Sequence, residues 1–376
     1  MKKIKAFLKK YSAMIIFMLI GAVCGVLMVE YIHRYAPDRP FAALLVMFVS
    51  MYVAILVHMI IHEGGHMVFG LLSGYTFCSF RILSFMFIKE DGRIKLKKLT
   101  IAGTGGQCLM NPPDMVDGRL PVMLYNLGGS VMNVVFGGVF LGLYFALGAH
   151  SLAAAIMMMF ALIGFAIALM NGIPMRMGEV DNDGYNAFSL GKNPDALRAF
   201  WVQMKVNEQI SKGVRLRDMP EEWFALPSDE AMKNSMVAAL GVFACNRLMD
   251  EGKLEQADKL MAHMLSIPSG IMGVHRRLMI CDRIYIELVG SNRHEIIEGM
   301  LSQDQKKFMK SMKTFPSVLR TEYALALLDS KDGVKAESLR DQFERFARSY
   351  PYQSDIHAER VLMDVAKLKA ESEDTK

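Results

Sequence analysis

The sequence predicts an α-helical multi-pass membrane domain followed by an all-α soluble domain. Apolar runs of membrane-spanning length fill the first half of the 376-residue chain and stop near residue 173. From Met175 onward the spacing becomes that of charged, amphipathic helices. Between two of the apolar runs, a short alternating stretch predicts a β-hairpin. The 52% hydrophobic content is thus an average over two unlike halves. The predicted division is a membrane-embedded domain over 1–185 and a cytoplasmic helical domain over 186–376.

Four candidate crossings lie at about 12–29, 41–61 continuing to 73, 121–148 and 152–170. The first follows a basic N-terminus. It is long for the apolar core of a signal peptide and has no small-x-small cleavage pattern before Glu30, so it reads as a retained helix. The third and fourth are separated by a tight turn near Gly148–Ser151. Lysines and arginines crowd the N-terminus, the loop 74–120 and the segment after the fourth crossing, whereas the opposite side holds only Arg34 and Arg39. Positive charge gathers on the cytoplasmic side. The expected localisation is therefore the cell membrane, with N-terminus, long loop and C-terminal half in the cytoplasm.

The loop 74–120 carries the predicted hairpin at 80–99. Phe80–Lys89 is rich in strand formers, Glu90-Asp91-Gly92 signals a turn, and Arg93–Thr100 alternates basic with apolar residues to give one wet face. Gly103-Thr104-Gly105-Gly106 and Asn111-Pro112-Pro113 follow. In the second half, Met232–Asp250 and Leu254–Leu265 predict a helix hairpin around Glu251-Gly252-Lys253. Leu248, Gly252, Ala257, Met261 and Pro268 fall at tetratricopeptide-like positions, and Leu319–Leu328 with Ala336–Phe346 makes a second candidate unit; an irregular helical bundle is the alternative. Lys367–Lys376 reads as a frayed polar tail. No basic stripe is interleaved with aromatics, so nucleic acid is not an expected partner. Five dispersed cysteines make neither a disulfide framework nor a cysteine metal site.

The chemistry concentrates at Ile60-Ile61-His62-Glu63-Gly64-Gly65-His66. On a helix, His62 and His66 share a face, so both imidazoles can bind one zinc ion, and Glu63 stands beside them to deprotonate a zinc-held water. Such an ion lowers the pKa of bound water to about 7. The motif lies in an apolar helix, where ionisable groups are expensive and call for a function. His58, one turn earlier, reads as a third ligand, an orienting neighbour or a packing residue. A catalytic zinc takes three protein ligands and keeps one position open. The distant donor is sought after the fourth helix, in Asn171-Gly172-Ile173-Pro174 through Asn182-Asp183-Gly184, which returns to the same side of the membrane. There Asp183 is a candidate ligand, against the commoner role of a surface turn residue.

These residues resemble the site-two protease family of intramembrane zinc metalloproteases. His62-Glu63-Gly64-Gly65-His66 is similar to its first motif, and Asn171-Gly172-Ile173-Pro174 with Asp183-Gly184 to its N-x-x-P…D-G motif. Two further stretches match in order: Ala102–Met110, with its glycines, and Gly128-Gly129-Ser130-Val131-Met132-Asn133. The likeness covers about 41–185 and not the C-terminal half. It implies one Zn2+ per chain on His62, His66 and Asp183, with Asp181 and then Glu179 as alternatives to Asp183 because the Asn-to-Asp gap is long. It also implies Glu63 as catalytic base, a membrane-associated hairpin, and Gly105, Gly106, Asn133 and Asn171 on the substrate side. A membrane-spanning substrate must unwind to be cut, and an edge strand can hold it by β-addition; the hairpin at 80–99 is the expected edge. Asn133 and Asn171 are candidates to bind the strand or the oxyanion, or simply to bond helix to helix.

The expected function is therefore a zinc endopeptidase acting on membrane-anchored or leader-type peptides near the cytoplasmic face. Its partners would be a single-span protein or peptide substrate, the lipid bilayer, and a protein bound by the helical domain. Two alternatives stand beside it: a membrane-anchored scaffold with a structural or vestigial metal site, and a metal transporter lined by His58, His62 and His66.

Overall fold

The structure, a computed structural model, describes residues 15, 18–19, 21–33, 38–90, 92–100, 104–148, 151–177 and 180–374. The chain divides into two compact units, one of Met1–Ser84 with Thr100–Pro194 and one of Phe85–Leu99 with Asp195–Lys376.

The first unit is built on helices α1 (Gly21–His33), α2 (Pro40–Leu72), α3 (Val122–Ala146) and α4 (Leu152–Gly172). Helices α2, α3 and α4 are long and apolar enough to cross a membrane. The first predicted crossing is described only from its latter part, in α1; most of its first half lies outside the described residues. Pro40 opens α2, where its fixed φ suits a first turn and its missing N–H costs nothing. At 33 residues α2 is about 50 Å long, more than a ~30 Å hydrocarbon layer requires. Only 17% of its most apolar window is buried in the protein, so most of its hydrophobic side chains face outward. Contact among α2, α3 and α4 runs through small residues: a methyl group on Gly65 would collide with the backbone of Gly128, and one on Gly137 with the ring of Phe165. The turn before α4 has Gly148 at φ +71° and ends on Ser151, whose hydroxyl caps the Ala154 N–H at 3.1 Å.

Strands β1 (Thr76–Ile82) and β4 (Gly106–Asn111) pair antiparallel from Thr76↔Asn111 to Ile82↔Gly106, with a bulge between Phe77 and Ser79. Residues 80–82 thus belong to β1 and not to the predicted hairpin. The break comes at Leu83, whose φ is +53°. Past the last helix, the short strands β5 (Arg176–Met177) and β6 (Val180–Asp181) pair and lead into α5 (Asp183–Ser189).

The hairpin itself, β2 (Phe85–Glu90) with β3 (Arg93–Lys98), belongs to the second unit. Its faces differ from the expected pattern. Met86 and Ile88 are buried, while their face also carries Glu90, paired with Lys95 and Lys97 at 2.9 and 3.2 Å. The opposite face exposes Phe85, Phe87, Ile94 and Leu96. Lys95 and Lys97 therefore neutralise a glutamate beside two buried residues, while Phe85, Phe87, Ile94 and Leu96 are exposed as well.

The rest of the second unit is helical: α6 (Pro194–Ser211), α7 (Ser235–Asp250), α8 (Leu254–Ser266), α9 (Gly273–Val289), α10 (His294–Met300), α11 (Gln303–Ser311), α12 (Pro316–Ala324), α13 (Gly333–Ala347) and α14 (Gln353–Asp374). The hairpin α7–α8 turns at Gly252, φ +73°, as its sequence predicts. Helix α7 starts at Ser235 rather than Met232 because the Asn234 side chain caps the N–H groups of Met236 and Val237. Ala257, Met261, Tyr285 and Phe343 lie in one shared core with Ile356 of α14. The expected frayed tail is helix as far as Asp374, with Lys367–Glu371 and Lys369–Glu373 ion pairs along it and Ala366 buried at its start.

Candidate metal centre

His62 and His66 sit near the C-terminal end of α2, on the side facing α3, and both are buried. Glycine allows that approach: a methyl group on Gly129 would lie 2.6 Å from the His62 ring. Asp183 reaches them from the first residue of α5. Its Oδ2 is 3.0 Å from His62 Nε2 and 3.3 Å from His66 Nε2, and the two Nε2 atoms are 3.2 Å apart. Among the described residues these three form the one group of donors spaced to hold a metal ion.

Asp183 is carried into place by its neighbour. The buried Asn182 side chain caps α5 at Tyr185 N (2.9 Å) and takes the Met175 N–H (2.9 Å), while its Nδ2 donates to the carbonyls of Met170 and Ile173 (2.7 Å each). One side chain thus staples the end of α4 to the start of α5. Gly184 permits the same approach, since a methyl group there would strike the Gly172 carbonyl. Asp181 is not one of the three grouped donors and pairs with Arg176 at 2.9 Å; Glu179 lies outside the described residues.

The proton inventory explains what the triangle needs. His66 Nδ1 is 2.8 Å from the Tyr125 carbonyl, which can only accept, so Nδ1 carries a proton and Nε2 is the atom turned to Asp183 and His62. Burial would raise the Asp183 carboxyl, but its hydrogen bonds to His62 and His66 hold it well below the usual carboxylate range. A carboxylate oxygen and two imidazole nitrogens therefore face one point, where either a ring proton or a cation can join them. A tetrahedral ion with ligands at about 2.0–2.1 Å sets them roughly 3.3 Å apart. The observed edges of 3.0–3.3 Å match that requirement, so the residues fit such an ion.

Glu63, on the next position of α2, accepts a hydrogen bond from the Cys108 backbone N–H of β4. Gly106 lies against the same carboxylate; a methyl group there would come within 2.6 Å of Oε1. The strand beside Glu63 is thus β4, not the hairpin, and β4 has β1 as its one strand partner among the described residues. Gly105 packs on Met59 and its carbonyl accepts from Leu83 N at 2.7 Å. Asn133 lies behind His62, 3.0 Å from its Nδ1. Asn171 bonds back to the Ile167 carbonyl of its own helix at 3.0 Å, and among the described residues no hydrogen bond joins it to the triangle. His58 does not join the donors; its ring sits between Phe140 and Phe160.

Two positioning groups escaped the sequence reading. Asn182 stands in an Asn-Asp-Gly run that reads as a turn, although an Asn before an Asp-Gly is also an N-cap signal. The Tyr125 carbonyl has no side-chain signal at all. Neither protein-family models, nor curated proteins, nor solved structures give a match to this chain.

Proposed function

We propose that the chain is a membrane-embedded zinc endopeptidase of the site-two protease type, spanning the bilayer with α2, α3 and α4 and with the helix before them. The observation that carries this reading is the closed triangle of His62 Nε2, His66 Nε2 and Asp183 Oδ2, with Glu63 adjacent. Two imidazoles and a carboxylate are the donor set of a catalytic zinc with one open position. Bound there, the ion acts as a Lewis acid and makes water acidic near neutral pH.

The protein's own groups do the rest. Glu63, held by the Cys108 N–H, takes a proton from the attacking water and later returns it to the leaving amine. The Tyr125 carbonyl fixes the His66 ring. Strand β4, with Gly106 at Glu63, supplies an edge on which an unwound substrate segment lies by β-addition. The glycines leave room for a second backbone beside the carboxylate. Apolar walls from α2, α3 and α4 keep the site poor in water, which strengthens each charge interaction inside it. The lysine-rich loops orient the site toward the cytoplasmic face, and the helices of the second unit offer surfaces for a regulator or substrate tail.

The test uses the full chain with a panel of single-span membrane proteins and leader peptides. Glu63→Gln should retain one zinc per chain and accumulate uncut precursors in membrane proteomes. Normal processing by that variant would leave the scaffold reading in its place.

A further inference from the structure

Behind the donor triangle, on the side away from Asp183, a second polar group enters the helix bundle. His58 lies one turn before His62 on α2 and is fully buried. Its ring rests on Gly164 of α4, where a methyl group would collide with it. An imidazole in so apolar a place is expensive unless its hydrogen bonding is used. Nδ1 makes one well-formed bond, at 3.1 Å to Asn133 Oδ1, while Nε2 makes none and lies near the Phe160 backbone. The same amide reaches His62 Nδ1 at 3.0 Å through its nitrogen. Asn133 is itself fully buried, so one side-chain amide bridges the two rings.

An amide donates at one end and accepts at the other, so it couples the protons of the rings it joins. With the nitrogen toward His62, His62 Nδ1 accepts, the His62 proton sits on Nε2 and points at Asp183, and His58 donates from Nδ1. That arrangement is self-consistent without an ion. Turning the amide by half a revolution exchanges its ends in the same space. His62 Nδ1 then donates to the amide oxygen, His62 Nε2 keeps a lone pair, and the amide nitrogen donates to His58 Nδ1. The proton on His62 has moved from Nε2 to Nδ1, and the proton on His58 from Nδ1 to Nε2. Each ring carries one proton before and after, and neither is charged.

We infer that Asn133 and His58 are positioning residues for His62, together forming a neutral tautomer switch that turns the His62 Nε2 lone pair toward the metal. The inference rests on the metal-site reading above. His58 is needed because the turned amide would otherwise leave its N–H group unpaired in an apolar interior.

The test measures zinc affinity of the detergent-purified full chain by competition with a chromophoric chelator, alongside thermal melts. Asn133→Val should weaken binding by about 10- to 100-fold. His58→Phe should weaken it by roughly tenfold, and His58→Gln should restore most of the loss, because a glutamine amide can again accept from Asn133. In the Asn133→Val background, His58→Phe should add nothing. Should His58→Phe not fold, Asn133→Asp carries the test: an acceptor-only side chain should bind zinc at least as tightly as the wild type. Packing alone predicts lower melting temperatures with unchanged affinity. Wild-type affinity in His58→Phe, additive losses, or weak binding by Asn133→Asp overturns the switch alone. A wild-type chain that binds no zinc overturns the metal-site reading and the switch together.

Discussion

In the first unit, an imidazole nitrogen each of His62 and His66 and a carboxylate oxygen of Asp183 converge on one point, and among the described residues Asp183 pairs only with the two imidazoles. In the second unit, Arg320 of α12 is also fully buried, but it lies between carboxylates. It donates to Asp282 of α9, stands 3.1 Å from Glu359 of α14, and stacks its guanidinium 4.4 Å from the Tyr285 ring. Nearby, Arg215 holds Asp250 at 2.5–2.9 Å. The second cluster closes with its own cations and ties helices together. The first has no lysine or arginine partner among the described residues. A buried charge matched from within is weak evidence for function, whereas ligand-type donors converging with no lysine or arginine among them point to a ligand.

The largest effect expected from this contrast is at Glu63. Glu63→Gln should lower peptide hydrolysis by about 10²–10⁴-fold, read as cleavage rate on an identified substrate, while zinc content stays at the wild-type level. Arg320→Met sharpens the other side. Removing the one cation between Asp282 and Glu359 should cost about 3–5 kcal/mol of stability in the second unit. The chain's two tryptophans, Trp201 and Trp223, both lie in that unit, so their fluorescence during denaturant unfolding reports on it. Zinc content should not change; a loss of zinc in this variant would break the separation of the two clusters.

A smaller effect is expected at Asn182, which touches no proposed ligand atom but carries Asp183 into place. Asn182→Ala removes four hydrogen bonds at the α4–α5 junction and should weaken zinc binding by roughly tenfold, measured by chelator competition. Asp181→Asn, which removes the charge paired with Arg176, should leave affinity alone.

The smallest is a pH effect confined to the second unit. Burial raises Glu359 to about 7 against the pull of Arg320, with Asp282 and Asp250 adding to the rise. Burial, with Glu359 and Asp250, raises Asp355 to about 7 as well. Both groups hold protons more tightly folded than unfolded, so the stability they give is full at low pH and lost as pH rises through 7. The tryptophan-monitored unfolding free energy should be about 1–3 kcal/mol higher at pH 5.5 than at pH 8. Buried His275 works in the opposite sense, so the diagnostic result is that Glu359→Gln flattens the difference.

The sequence made the apolar helices legible because α2, α3 and α4 are long and almost free of charge, and made His62, Glu63 and His66 legible because a fixed spacing on one helix face carries the chemistry. It also narrowed the distant donor to a short segment. Choosing Asp183 over Asp181 required three dimensions: the Asn182 staple and the Arg176 pair decide which carboxylate faces the rings. The hairpin was displaced because residues 80–82 find a partner in β4, 24 or more residues further on, and alternation alone cannot say which strand pairs with which. Alternation alone could not show that Phe85, Phe87, Ile94 and Leu96 stand exposed beside the wet basic residues. Asn171 looked like a site residue by position, yet its amide is spent on its own helix.

The measurement that bears most directly on the metal centre is elemental analysis of the intact, detergent-purified chain beside its Asp183→Asn variant. One zinc per wild-type chain is expected, with a large loss in the variant. Wild-type protein without a stoichiometric divalent ion, or a variant that keeps the ion in full, would contradict the metal-site reading.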